Sequence, residues 1–175
     1  AWSVAAEDMH QNQAAATRHF GDRVRTIGID GGWECMWGVW EPNWKFQQGL
    51  EAFCRKTRTD GGIPGIWTAP LLVNAYTRLY RDKPEWFARD ANGQIAQKQY
   101  PYGPMSFLDI TQPAVADWIF NLFKRLKDAG FEYFKVDFTQ EVLSCESFQD
   151  STVARGDIVR RAFETIRRAI GEDAY

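Results

Sequence analysis

Lys135 and Asp137 stand two residues apart in FEYFKVDFTQE (131–141), a stretch otherwise built like a buried strand. Side chains on a strand alternate between faces, so Phe134, Val136 and Phe138 share one face while Tyr133, Lys135 and Asp137 share the other. Charges inside a protein are costly unless they pair or do chemistry, and a cation beside a carboxylate favours its ionised form near neutral pH. Two further acids are spaced to join them: Asp30 closes TIGID (26–30) and Asp109 lies near the end of SFLDIT (106–111). One strand-end Asp is more often a turn former or helix cap than a catalyst. Three in comparable positions, with an inward Lys, make a candidate constellation. Aromatic residues lie close by in sequence. Of eight tryptophans, Trp33, Trp37, Trp40 and Trp44 form a cluster in an apparent loop, where indoles can wall in a sugar ring or another flat ligand as well as fill a core.

The elements that must position these residues alternate between short apolar strands and helical stretches, which argues for βα units and a parallel sheet. The strands are read at 26–30, 62–70, 106–111 and 133–138, with WSVA (2–5) as the end of an earlier one. Helices are read at 5–20, 48–58, 112–129 and 157–170. The third is marked by Val115, Trp118, Ile119, Leu122, Phe123 and Leu126 at helical spacing, with Thr111 as its cap, Pro113 in its first turn and Gly130 at its end. The last presents Val159, Ala162, Phe163, Ile166 and Ile170 as its apolar side. In TIGID, Ile27 and Ile29 oppose Thr26, Gly28 and Asp30, and in GIWTAP, Trp67 shares its face with Gly65 and Ala69. Each strand thus offers one face to helices and ends the other in a polar or aromatic residue. This is the pattern of a (β/α)8 TIM-type barrel, whose active site sits at the C-terminal ends of its strands. A doubly wound nucleotide-binding sheet fits less well, because no Gly-rich phosphate loop follows any strand.

Composition narrows the function classes. With 175 residues, 45% of them hydrophobic and 25% charged, the chain is long enough to bury a core. A net charge of -2 with no long Lys/Arg run leaves no electrostatic footprint for nucleic acid or an anionic membrane. No run of about 18 apolar residues marks a membrane span. Cys35, Cys54 and Cys145 form no C-x-x-C pair, so neither a disulfide framework nor a zinc site is indicated, and a reducing, cytoplasmic setting is favoured. With only two histidines, no residue cluster calls for a metal or other cofactor.

The segments WEPNWKFQQGLEAF, GIPGIWTAPLLV, PEWFARDANG, FLDITQPAVADWI and GFEYFKVDF, in this order and spacing, resemble the catalytic barrel of glycoside hydrolase family 36, the α-galactosidase group related to families 27 and 31. The resemblance runs from Ile27 to Phe138, and Lys-x-Asp at a strand end is its most specific element. It implies a retaining α-glycosidase acting on a small-molecule or oligosaccharide substrate, without cofactor, nucleic acid or membrane. Asp137 then corresponds to the nucleophile, Lys135 to a lysine that binds sugar hydroxyls, Asp30 and Trp33 to the first Asp and the Trp of an Asp-Asp-Gly-Trp motif, and Trp67 to a pocket-lining residue. Asp109 is carried as a further substrate-binding candidate. Gly31 stands where that motif has its second Asp, which removes one sugar-hydroxyl contact. The general acid/base of the family lies on a later strand, so it is expected outside this chain. A complete barrel takes about 200 residues or more. The expectation is therefore a single partial barrel over 1–175, comprising the first four or five βα units and inactive by itself.

Three alternatives compete. A galactosyl transferase of the raffinose-synthase kind would use the same nucleophile with a sugar acceptor in place of water. A Schiff-base lyase or aldolase would need a deprotonated Lys135, which a neighbouring carboxylate opposes. A sugar-binding barrel without catalysis would bind without turnover.

Overall fold

The computed structural model describes residues 4–175. In chain order the first half comprises α1 (Ala6–Phe20), β1 (Thr26–Ile29), β2 (Glu34–Met36), β3 (Val39–Pro42), α2 (Leu50–Thr59), β4 (Ile63–Thr68) and β5 (Leu72–Asn74). The second half comprises α3 (Arg78–Asp82), β6 (Gln97–Tyr100), β7 (Gly103–Phe107), α4 (Pro113–Ala129), β8 (Tyr133–Val136) and α5 (Arg155–Ile170). Strands β1, β4 and β8 form one parallel sheet in that spatial order. β2 and β3 make a hairpin directly after β1, and β5, β7 and β6 make an antiparallel sheet inserted between β4 and α4.

The parallel sheet arises where the sequence supplies apolar residues to one side. Ile27 and Ile29 of β1, Ile66 of β4 and Phe134 of β8 are buried, together with Phe53 and Cys54 of α2 and Ile119, Phe123 and Leu126 of α4. In α4, Val115, Ile119, Leu122, Phe123 and Leu126 form the buried stripe, while Trp118 is only half-buried. Pro113 occupies the first turn, where a missing N–H costs nothing. Gly130 ends the helix at φ 115°, its N–H donating to the carbonyls of Leu126 and Lys127. Arg58 of α2 then fixes this corner, pairing with Glu132 at 2.7 Å and donating to the Gly130 carbonyl.

Four sequence expectations are corrected. SFLDIT is not a further parallel strand: Ser106 and Phe107 end β7, which runs antiparallel to β5 and β6, and Asp109–Thr111 form the turn into α4. Alternation alone does not distinguish a parallel from an antiparallel strand; the tight return at Tyr100–Gly103, with Gly103 at φ 113°, makes β6 and β7 a hairpin. Thr111 does not cap α4. Gln112 holds the cap position without a side-chain capping bond, and the Thr111 hydroxyl donates to Asp109 instead. On α5, Ile158, Ala162, Thr165, Ile166, Ala169 and Ile170 face inward, whereas Phe163 is 44% exposed because it lies one helical step past the edge of that arc. Val4 and Ala5 belong to no strand, and the first residues of WSVA lie outside the described residues.

A Cβ on Gly130 would stand 2.8 Å from Arg58 Nη1 and 3.1 Å from Cys54 Cβ, at a φ that L side chains rarely adopt. Gly130→Ala is therefore expected to destabilise this segment by about 1–3 kcal/mol, measured as a lowered denaturation midpoint of the complete protein. An unchanged midpoint would contradict the strain at this corner.

Candidate functional site

Parallel pairing sets the site. Gly28 pairs with Gly65 and Gly65 with Tyr133; one residue on, Ile29 pairs with Ile66 and Ile66 with Phe134; Trp67 pairs with Lys135. Paired residues in a sheet share a face, so Gly28, Gly65 and Tyr133 form one layer, and Asp30, Trp67 and Lys135 lie level in the next layer toward the C-terminal ends. The lower layer is cramped. A Cβ on Gly65 would come within 3.0 Å of the Tyr133 ring and 3.2 Å of the Gly28 Cα.

In the upper layer Lys135 reaches over the central strand. Its Nζ lies 3.0 Å from Asp30 Oδ2 and 3.9 Å from Asp137 Oδ2. Outer strands of a three-stranded sheet are about 10 Å apart, a gap that a four-carbon stem and a short acid can span together. The Asp137 N–H donates to the Thr68 carbonyl at 2.8 Å, which carries the ladder one residue past β8 and fixes where this carboxylate emerges. Each Asp137 oxygen has a donor: Trp67 Nε1 reaches Oδ2 at 2.9 Å, and the Phe138 N–H reaches Oδ1 at 2.8 Å. Asp30 Oδ1 accepts from the Gly31 N–H at 2.7 Å. Partial desolvation acts to raise the Asp30 carboxyl, but the hydrogen bond from Lys135, the Gly31 N–H and the lysine charge outweigh it and bring it below its ordinary value. Lys135 is raised, first by its hydrogen bond to Asp30, against a smaller desolvation effect and with added attraction from both carboxylates. The three side chains keep between 39% and 48% of their surface exposed, so a ligand can reach them.

The tryptophans divide by role. Trp33 is 1% exposed, and its Nε1 donates to the Trp67 carbonyl at 2.9 Å, so it supports the site from below. Trp37 and Trp40 are buried against Trp67, with ring centroids 5.3 Å and 6.2 Å away, while Trp44 is 77% exposed. Of the two roles open to this cluster, core filling holds for Trp33, Trp37 and Trp40. Gly31 meets Trp67 directly: a Cβ there would lie 3.3 Å from ring atoms of Trp67. A side chain at position 31 would therefore need the indole to give by a few tenths of an ångström.

Asp109 has a different setting. It is 1% exposed, and its carboxylate accepts from the Thr111 N–H and hydroxyl at 3.0 and 2.6 Å and from the Gln149 N–H at 2.6 Å. These bonds tie the start of α4 to the loop before α5, and none comes from the Asp30, Lys135 and Asp137 cluster.

The sequence reading passed over residues that reach the site from the inserted sheet. Tyr100 packs edge-on to Phe138 at 6.0 Å, and Lys98 pairs with Glu141 at 2.6 Å. No motif flags them, because they lie about 40 positions before their partners. Glu34, buried at the start of the β2–β3 hairpin, accepts from the Gly32 N–H at 2.9 Å, and burial raises its carboxyl. Among the described residues no group of three or more His, Cys, Asp or Glu is arranged to hold a metal ion, and no helix is long and apolar enough to cross a membrane.

The parallel sheet with a half-exposed lysine and two carboxylates at its strand ends defines an α/β protein with a polar cluster on one face of that sheet. Residues 19–168 match the melibiase family model, and the chain belongs to that family. It is 26% identical over 160 residues to an A type blood α-D-galactosamine galactosaminidase of Flavonifractor plautii, covering 82% of this chain and 15% of that protein. It is 25% identical over 154 residues to α-galactosidase 1 of Pediococcus pentosaceus, covering 80% of this chain and 20% of that protein. The structure of an α-galactosidase from Thermus thermophilus, in complex with p-nitrophenyl α-D-galactopyranoside, superposes with a TM-score of 0.84 at 26% identity, over 98% of this chain and 34% of that one. The chain thus spans a minor part of the length of these relatives.

The pH response of the Lys135–Asp30 pair has a definite sign. Asp30 is depressed, so its contribution is present above the unfolded value, about 3.9, and is lost as pH falls through its folded value. Lys135 is raised, so its contribution is complete below the unfolded value, about 10.4, and is lost as pH rises through its folded value. Both groups are nearly half exposed, so Lys135→Met should cost no more than about 1 kcal/mol near pH 7. That difference should fade at both extremes when melting is compared across pH. A difference that persists in strong acid would show that the loss comes from packing of the lysine stem.

Proposed function

We propose that this chain supplies the nucleophile and part of the sugar pocket of a retaining α-glycosidase, acting on terminal α-galactosides. The observation that carries the reading is Asp137 at a strand end with one donor on each oxygen and Lys135 beside it. In a retaining mechanism the carboxylate attacks the anomeric carbon as the glycosidic bond breaks, giving a covalent glycosyl-enzyme and a protonated leaving group. Water then releases the sugar with net retention. The second carboxyl, about 5–5.5 Å from the nucleophile, protonates the leaving oxygen and later activates the water. It comes from chain beyond these residues, and residues 1–175 by themselves do not turn over substrate. Lys135 donates to sugar hydroxyls and Asp30 accepts from them, while Trp67 orients Asp137 and Trp33 holds Trp67. Asp109 serves the pocket indirectly, through the loop it braces. Residues 1–175 are read as one partial (β/α)8 barrel. This is supported by the three parallel strands and by Tyr175, whose backbone pairs with Glu132 and Phe134 on the outer edge of β8 at 2.8 and 2.7 Å.

The similarity to a galactosaminidase favours testing α-galactosaminides as a second substrate class.

The test uses the complete protein and its Asp137→Gly variant with chromogenic α-galactosides and α-galactosaminides. Asp137→Gly should lose on the order of 10⁴-fold or more in kcat. Azide should partly restore leaving-group release, with the β-glycosyl azide as product, because azide enters from the face the carboxylate has vacated. Full activity in the variant would overturn the assignment of Asp137. Sugar binding without turnover by the intact protein would move the reading to a non-catalytic sugar-binding barrel.

A further inference from the structure

Phe138 directly follows Asp137 and, among the described residues, is the one non-glycine residue with positive φ, at 56° with ψ 20°. Left-handed backbone is strained for a residue with a bulky side chain, and it persists only where the surroundings over-determine it. Two sets of contacts do so here. The ring is boxed by Trp37 at 5.3 Å, by Tyr100 at 6.0 Å and by Trp67 at 6.4 Å, the last two edge-on. The turn that follows is fastened to β6: Glu141, whose N–H closes onto the Phe138 carbonyl at 3.2 Å, forms its ion pair with Lys98, and the Lys98 Nζ lies 5.6 Å from the Tyr100 ring centroid. Burial and the Glu141 carboxylate push the Tyr100 phenol up to about 12, so this part of the box stays neutral.

The strain bears on the neighbouring carboxylate. The peptide between Asp137 and Phe138 carries the N–H that donates to Asp137 Oδ1. Relaxing φ means rotation about the Phe138 N–Cα bond. With the ring clamped, that rotation swings the peptide plane and withdraws the donor; with the ring free, the plane has no anchor on that side. We propose that Phe138 is a positioning residue for Asp137: its boxed ring holds the strained peptide so that Oδ1 stays bonded while Trp67 holds Oδ2, fixing the rotation of the carboxylate. A nucleophile gains from such fixing because attack requires one lone pair aligned with the anomeric carbon. The inserted sheet, remote in sequence from Asp137, thereby acts on the reacting group through Tyr100 and Lys98.

This inference rests on Asp137 being the nucleophile, and its test separates the two claims. The complete protein is compared with Phe138→Ala, which keeps the backbone penalty without the ring, Phe138→Gly, which removes both, and Phe138→Tyr, which keeps the ring. Active sites are counted with a covalent glycoside inactivator, so that loss of folded protein is divided out. Phe138→Ala and Phe138→Gly should lower kcat per active site by about 10- to 100-fold with KM nearly unchanged, and Phe138→Tyr should recover most of that loss. Unchanged kcat per active site in Phe138→Ala, or parallel changes in kcat and KM, would overturn the proposal. If the intact protein turns over no glycoside, the functional reading fails, and the positional claim is read from hydrogen exchange at the residue 138 amide. Slow exchange in the native protein and fast exchange in Phe138→Ala support it, and equal rates overturn it.

Discussion

Lys135 holds Asp30 from across an intervening strand, and that contact is possible only because β1, β4 and β8 run parallel with matching steps. A slip of one residue at β8 would turn Lys135 to the helix side and Phe134 to the site, and a slip at β1 would turn Asp30 away and Ile29 to the site. The register is protected on both faces. On one, Ile27, Ile29, Ile66 and Phe134 are buried beneath the helices; on the other, Gly28 and Gly65 leave room for Tyr133 where larger residues would collide. The half-exposed pair contributes little stability of its own. The core fixes the sheet, and the sheet fixes the charges.

Above that sheet, aromatic packing does the finer positioning. Trp33 bonds to the Trp67 backbone, Trp67 bonds to Asp137, and Trp37 and Trp40 close around Trp67. A buried indole N–H usually finds a partner, and those of Trp33 and Trp67 find theirs within the site itself. The hairpin β2–β3 is therefore part of the support, since it brings Trp40 and, through its turn, Trp37 to the strand ends. Gly31 fits the same arrangement, because the Trp67 ring lies against the only side a Cβ could take.

Much of the site could be read from local sequence. Alternation placed Lys135 and Asp137 on one face, and strand-end position singled out Asp30, because both inferences depend only on the two-residue period of a strand. The same period misjudged SFLDIT, since it says nothing about which strand a segment pairs with, or in which direction. It also grouped Asp109 with the other acids, whereas its carboxylate serves the turn into α4. The cluster of tryptophans, which local sequence left open between ligand wall and core, proved mostly interior, as large aromatic surfaces usually are.

The sequence by itself determined the α/β alternation, the helix Pro113–Ala129 ended by Gly130, the paired charges at the end of β8 and the resemblance that the family match later bore out. These follow from short-range rules: periodicity, capping residues and motif spacing. Only the tertiary structure decided that Lys135 meets Asp30, that Trp67 bonds to Asp137, and that Tyr100 and Lys98 brace the turn after it. Those contacts join residues some 40 to 105 positions apart. Which distant residues meet is set by strand order and register across the whole sheet, a global outcome of packing that no local pattern encodes.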